Sequence, residues 1–393
     1  MNILFLLRGS GIGGLEVVTS VLANKFVAEG HHVSVFIFRK EKGESIADRL
    51  DKRVTVCQRN DYRASKENVS ILRDILVEHK INVIINQWGF PLIPIKVAKK
   101  AKKGLRIKII SVYHNDPSMN GRIQGMRVKL ALAQNMLKLV IYRIMLYAFN
   151  QIASKAMRYN YKNSDCFLVL SKSYIRHFQE FTHLNVTPKL HVMENPVTIE
   201  TDGFKYENCK KQKEIIFVGR LDNVQKKVNR VLSSWNLLEA KYPEWRLTIV
   251  GDGVERQNLE KQVNELNLKH IDFAGFQNPL PYYKRASILV MTSDFEGFPL
   301  VLAEAMSFCV VPVVYDSFVA DRDIIDSGKD GIIVPKIHND FSAEKMANAV
   351  ELVIADCEGD HKMALAAIEK SKKYSLDIIY KRWIELFRQL GMN

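Results

Sequence analysis

Cysteine is scarce in this 393-residue chain: Cys57, Cys166, Cys209, Cys309 and Cys357 are widely spaced, odd in number and form no C-x-x-C pair. A disulfide-stapled scaffold is thereby excluded, and the five read as core or surface thiols in a reducing compartment. Proline and glycine, at 11 and 20 residues, are too few for a low-complexity or fibrous chain. Long apolar runs are missing too. The most apolar stretch, Leu130 to Phe149, is broken by Gln134, Asn135, Lys138 and Arg143, whereas a membrane span needs about 20 mostly apolar residues. Ile3 to Leu7 is too short for a secretory leader and runs into a glycine turn. The expected location is therefore cytoplasmic, and the sequons at Asn68 and Asn185 are chance matches.

Acidic residues are unevenly scarce. Residues 1–200 carry 31 Lys and Arg against 15 Asp and Glu, and between Lys96 and Lys162 there are 15 basic side chains and one acid, Asp116. That block alone matches the formal charge of +14 of the whole chain, which implies an anionic partner for one domain. Hydrophobic residues make up 47 % and charged residues 25 %, an ordinary globular composition, and the length suggests two domains.

Short β-branched runs alternate with longer amphipathic stretches, the pattern of βαβ units and parallel sheets. Strands are expected at 3–7, 33–38, 83–85, 107–112 and 166–170, then at 214–218, 246–250, 271–274, 288–291, 310–314 and 331–334. The polar stretch between them carries Asp202-Gly203 and Lys210-Lys211-Gln212-Lys213 and reads as a linker. The expected division is a Rossmann-like domain over 1–198, a linker over 199–213, a second Rossmann-like domain over 214–375 and a C-terminal helix over 376–393.

Gly9, Gly11 and Gly14 follow the first strand and satisfy G-x-G-x-x-G, the dinucleotide fingerprint. That motif alone is weak. The second strand ends in Arg39-Lys40 rather than the acid that would hold a ribose, leaving an NADP-type oxidoreductase as one reading and a tight turn as another.

The second half carries more chemistry. Gly219-Arg220 ends a strand, and Lys226-Lys227 lead into a helix; an Arg fork and a Lys point charge together suit a diphosphate. After the strand at 288–291, Glu296 and Glu304 stand eight residues apart, with Gly297, Phe298 and Leu300 between them at an expected helix start. Such a pair can straddle one elongated ligand, although carboxylate pairs also serve hydrolases. Asp321-Arg322-Asp323 imitates a metal-binding D-x-D but has no companion ligands, and reads as a solvated turn.

These residues resemble the retaining glycosyltransferases of family 4, which have the GT-B fold of two Rossmann-like domains facing across a cleft. Val218-Gly219-Arg220-Leu221 with Lys226 looks like the family's phosphate-binding pair. Val250-Gly251-Asp252-Gly253 resembles its strand end, Gly275-Phe276 its base-holding loop, and Glu296 with Glu304 its E-x7-E motif. Gly13-Gly14-Leu15-Glu16 is similar to its N-terminal glycine loop. The resemblance implies that Arg220, Lys226, Glu296 and His114 act at the reacting sugar and leaving group. It also implies donor contacts from Gly13, Gly14, Glu16, Gly219, Gly251, Phe276, Gly297, Phe298, Leu300 and Glu304. The chain departs from the family at Lys227, where glycine is usual.

By the same resemblance the reaction is metal-independent, needs no cofactor, and transfers a hexose or N-acetylhexosamine with retention from a nucleotide sugar, expectedly UDP-linked. The acceptor is expected to be a glycan or lipid-linked sugar in capsule, lipopolysaccharide or related surface polysaccharide synthesis. The Lys96–Lys162 block, where basic residues punctuate an apolar stretch, suits peripheral attachment to an anionic membrane on its cytosolic face. No nucleic-acid module appears. A noncatalytic basic membrane or nucleic-acid binder remains the other alternative.

Overall fold

The computed structural model describes residues 1–119, 121–201, 204, 211–336 and 340–392. Cys209, Asp202-Gly203, Lys210 and most of the expected linker lie outside the described residues. The chain divides into two compact units, Met1–Asn195 with Leu376–Asn393, and Pro196–Ser375. The first division falls three residues before the expected 198, and Lys211–Lys213 belong to the second unit. Lys211 Nζ donates to the carbonyls of Tyr283 and Ala286 at 2.8 and 2.7 Å.

In the first unit, β1 (Asn2–Gly9), α1 (Gly14–Ala28), β2 (His32–Arg39), β3 (Thr55–Gln58), α2 (Lys66–Glu78), β4 (Val83–Asn86), α3 (Leu92–Ala101), β5 (Lys108–Tyr113), α4 (Gly121–Ala131), α5 (Met136–Asn163), β6 (Cys166–Val169), α6 (Ser173–Thr182) and β7 (Leu190–Val192) follow in order. The parallel sheet runs β3-β2-β1-β4-β5-β6-β7. Ile3–Leu7 and Ile109–Ile110 are fully buried because helices cover both faces. The edge strands β3 and β7 were not expected. They are short, and Thr55 and Val56 are exposed, so neither carries the continuous apolar signal of a central strand.

The second unit contains β8 (Glu214–Val218), α7 (Val228–Trp235), β9 (Arg246–Val250), α8 (Arg256–Glu265), β10 (Ile271–Gly275), α9 (Leu280–Arg285), β11 (Ile288–Met291), α10 (Leu300–Met306), β12 (Val311–Tyr315), α11 (Asp321–Ile324), β13 (Ile332–Val334), α12 (Ala343–Glu358) and α13 (Lys362–Ser371). Its parallel sheet runs β10-β9-β8-β11-β12-β13. The strand order reverses beside β8 and β11, so the loops after these strands, at 219–227 and 292–299, flank the switch point.

The C-terminal helix α14 (Leu376–Gln389) belongs to the first unit. Trp383 and Phe387, almost fully buried, pack on Phe26 of α1, and Lys25 pairs with Asp377 at 2.6 Å.

Candidate functional site

At the carboxyl edge of the second sheet the backbone itself is shaped by glycine. Gly219 and Gly251 sit at φ 155° and 147°, a region that disfavours side chains. A Cβ on Gly251 would lie 1.8 Å from the Gly219 carbonyl oxygen. The successive strand ends are tied together: Gly219 N–H donates to Val250 and Gly251 N–H to Gly275, at 3.0 and 2.8 Å.

Beyond Gly219, Asp222 organises the loop. Its Oδ1 accepts from the N–H groups of Gln225 and Val224 at 2.6 and 3.2 Å, and its Oδ2 accepts from Arg220 Nε at 2.8 Å. Burial would raise this carboxyl, but the Gln225 N–H and the Arg220 guanidinium outweigh it and hold the group below its ordinary value. Arg220 remains 67 % exposed, available to a ligand. Lys226 Nζ lies 2.6 Å from Glu296 Oε1, with both side chains largely buried. Gln225 Nε2 donates to the Phe295 carbonyl and to Glu296 Oε2 at 3.1 and 3.3 Å. Lys227 sits at φ 53° at the start of α7 and pairs more loosely with Asp294, at 3.6 Å. That left-handed conformation is one glycine adopts without penalty.

Glu304 lies just over one turn into α10, because the helix opens only at Leu300 after the Pro299 cap. Its Oε1 accepts from Thr198 Oγ1 at 2.5 Å and its Oε2 from the fully buried Tyr283 hydroxyl at 3.1 Å. Burial pushes this carboxyl up, partly opposed by the two hydroxyls. Phe298 is buried against Tyr374, whereas Phe276 stands 74 % exposed beyond β10. Thr198, Tyr283, Asp222 and Gln225 were not picked out from the sequence. Asp222 and Gln225 flank the recognised motif, but nothing in the residues around Tyr283 announces its role.

One expectation fails. Asp321 does not sit in a solvated turn: it is fully buried in the first turn of α11. Its Oδ1 accepts from the Arg322 N–H at 2.6 Å, and its Oδ2 has no hydrogen-bond partner. Burial, with Asp316 adding repulsion, raises it to about 7. The helix turns this side chain inward, which the sequence triplet alone does not encode.

The remaining candidates lie in the first unit. Gly13 caps α1, and a Cβ there would meet Glu16 Oε2 at 3.0 Å. The Glu41 carboxylate covers Gly9 and Gly11, close enough that a Cβ on either would collide with it. The glycine loop thus faces a carboxylate where a dinucleotide reading needs open backbone for pyrophosphate. Glu16, 8 % exposed, is raised to about 7 by burial and by the nearby Glu41 charge, against the pull of backbone N–H groups.

His114 follows β5, half-buried, with Nε2 2.7 Å from Gln87 Oε1. Burial pushes its imidazole down to about 3, so it is neutral near pH 7. With Nε2 donating to Gln87, Nδ1 is left as an acceptor, and neither it nor Gln87 Nε2 has a partner. Nearby in sequence, the buried Asp116 accepts from His177 Nδ1 at 2.9 Å, and this bond raises His177.

The profile described as Glycosyltransferase Family 4 matches residues 12–201, and that described as Glycosyl transferases group 1 matches residues 198–373. The chain belongs to glycosyltransferase family 4 and has the GT-B fold. This glycosyltransferase is 25 % identical over 99 % of both chains to the GalNAc-alpha-(1->4)-GalNAc-alpha-(1->3)-diNAcBac-PP-undecaprenol alpha-1,4-N-acetyl-D-galactosaminyltransferase of Campylobacter jejuni subsp. jejuni serotype O:2. It is 32 % identical to an exopolysaccharide phosphotransferase of Streptomyces coelicolor over 52 % of this chain, a match spanning 21 % of that longer protein. In fold it is similar to a glycosyltransferase from Rickettsia africae, with TM-score 0.74, 15 % identity and coverage of 100 % and 99 % of the two chains. An Anabaena protein solved with UDP and glucose gives TM-score 0.71 at 16 % identity, covering 99 % of this chain and 100 % of that one.

Proposed function

We propose that the chain is a metal-independent, retaining glycosyltransferase that moves a hexose or N-acetylhexosamine from a UDP-sugar to a lipid-linked or polysaccharide acceptor in surface glycan synthesis. The observation that carries this reading is the buried Lys226–Glu296 pair at 2.6 Å beside the exposed Arg220, at the switch point of the second sheet. Transfer breaks the bond between sugar C1 and the diphosphate oxygen, and the barrier falls when the charge growing on that oxygen is stabilised. Arg220 and Lys226 supply the positive charge. Glu296 holds the Lys226 ammonium in place before the donor arrives and lies where sugar hydroxyls can replace part of that pairing. Glu304, Tyr283 and Thr198 form a hydroxyl-binding cluster suited to the ribose. Front-face attack, with the leaving phosphate accepting the acceptor's proton, gives retention without an enzymatic nucleophile.

The Campylobacter relative is named for an undecaprenol-linked acceptor, and the Lys96–Lys162 block supports peripheral attachment to an anionic cytosolic membrane face by charge. Calorimetry with UDP, GDP, ADP, NAD and NADP in the presence of a chelator tests the donor assignment. Selective UDP binding, weakened in Glu304→Ala, is expected; binding of NAD or NADP alone refutes it.

A further inference from the structure

Between Asp116 and Asp165 the chain has no acidic residue and eight basic ones, and this segment folds into α4 and α5. From Met136 to Ile152 no side chain of α5 is buried. Leu139, Tyr142, Leu146 and Phe149 are half-buried on one side. The opposite side is open and apolar: Met136, Leu137, Ile144, Tyr147 and Ile152 are 63 to 76 % exposed, with Val140 and Ile141 between them. At 3.6 residues per turn these open positions form one continuous face, and Lys138 and Arg143 fall on its two edges.

A soluble surface rarely leaves so many large apolar side chains together. The neighbouring basic lysine cluster is a separate feature. Lys102 folds back onto the Ile107 carbonyl at 2.6 Å and Asp165 at 3.3 Å, which withdraws part of that charge. At the turn joining α4 to α5 a cavity of about 350 Å³ is lined by Leu132, Lys129, Lys138 and Tyr142, mixing apolar walls with two ammonium groups. Farther along the open side, Lys155, Arg158 and Lys162 replace the apolar residues, so the face changes from apolar to cationic along its length.

Resting on the reading that this enzyme works at a membrane, we propose that the open face of α5 inserts into the interfacial layer of an anionic bilayer. Its apolar side chains enter the acyl boundary, while Lys138 and Arg143 extend sideways to the headgroup phosphates. The cavity beside Lys129 and Lys138 takes an anionic headgroup. The occupant is a lipid surface because an acid-free segment edged by cations complements phosphate-bearing lipids. Among the described residues no helix is long and apolar enough to cross a membrane; α5 lies along the surface. The contact therefore has a salt-resistant apolar component in addition to charge.

The test is co-sedimentation of the full chain with phosphatidylcholine vesicles containing phosphatidylglycerol, at low and high salt. Wild type is expected to retain binding at high salt. Leu137→Ser/Ile141→Ser/Ile144→Ser is expected to lose roughly 100-fold or more in partitioning, with UDP binding by calorimetry unchanged. Lys138→Gln/Arg143→Gln is expected to weaken binding mainly at low salt. Tyr147→Trp, which keeps the face apolar, is expected to gain a blue-shifted emission component quenched by brominated lipids. Binding abolished by salt and untouched by the serine variant overturns insertion while leaving electrostatic attachment standing. Absence of vesicle binding with intact UDP binding overturns the membrane reading and leaves the transferase reading. A wild type that is dimeric, with a monomeric serine variant and no lipid binding, assigns the face to a second copy and overturns the proposal.

Discussion

Glu16→Gln isolates the carboxyl pair over the first glycine loop. Glu16 is buried, with Glu41 nearby, and its pKa is raised from 4.5 to about 7. Between these values the folded state binds a proton that the unfolded chain has released, so stability falls as pH rises through this window. The loss is complete above about pH 7. A shift of this size corresponds to about 3 kcal/mol, since each pKa unit is about 1.4 kcal/mol. Glutamine reproduces the protonated shape and removes the titration. The variant is expected to match wild type within a fraction of a kcal/mol near pH 4 and to exceed it by about 3 kcal/mol at pH 8. For a unit of this size that is a rise of roughly 6 to 12 °C in its melting transition. Scanning calorimetry of both proteins from pH 4 to 8, following the transition of the first unit, measures it. Parallel pH curves would refute the burial and repulsion argued for Glu16.

Further outcomes follow from the second unit and from the histidines. Arg220→Ala and Lys226→Ala are each expected to lower kcat/KM by several kcal/mol of transition-state stabilisation; near-wild-type turnover in both removes the phosphate-binding role. Lys227→Gly relieves the left-handed backbone and is expected to stabilise the second unit by about 1 kcal/mol while retaining transfer. A loss of transfer there would move the phosphate contact to Lys227. Glu214 is fully buried, held by Arg285 at 2.7 and 2.9 Å and by Thr248 at 2.6 Å. Its replacement by Ala is expected to destabilise the second unit by about 3 to 5 kcal/mol in denaturant unfolding, and a change below 1 kcal/mol contradicts the pairing. In NMR titration His114 should stay neutral from pH 5 to 8, while His177 titrates above its ordinary value and shifts down in Asp116→Asn. A His114 transition near pH 6.5 would show that its imidazole is solvated.

The central strands of both sheets were legible because parallel strands covered on both faces must be apolar throughout, as Ile3–Leu7 and Ile288–Met291 are. Edge strands β3 and β7 were not, since short half-exposed strands carry no such run. Position after a strand set Arg220 and the Lys226-Lys227 pair apart from the other charged residues, and spacing did so for Glu296 and Glu304, because these are local features; the choice of Lys226 over Lys227 came from the family resemblance. Their partners were hidden: Tyr283 reaches Glu304 from α9, and Glu41 reaches the glycine loop from beyond β2. A side chain's partner across 21 or 30 residues depends on how elements pack.

By itself, then, the sequence determined two parallel-sheet domains, the positions of the glycine turns and the concentration of positive charge between Lys96 and Lys162. Periodicity and spacing act over a few residues, and they survive in any arrangement of the chain. Tertiary structure alone decided that Lys226 is already paired with Glu296, that Asp321 is buried rather than solvated, and that one face of α5 is left uncovered. Each of these is a property of desolvation and of contacts between distant segments, which exists only once the elements have packed.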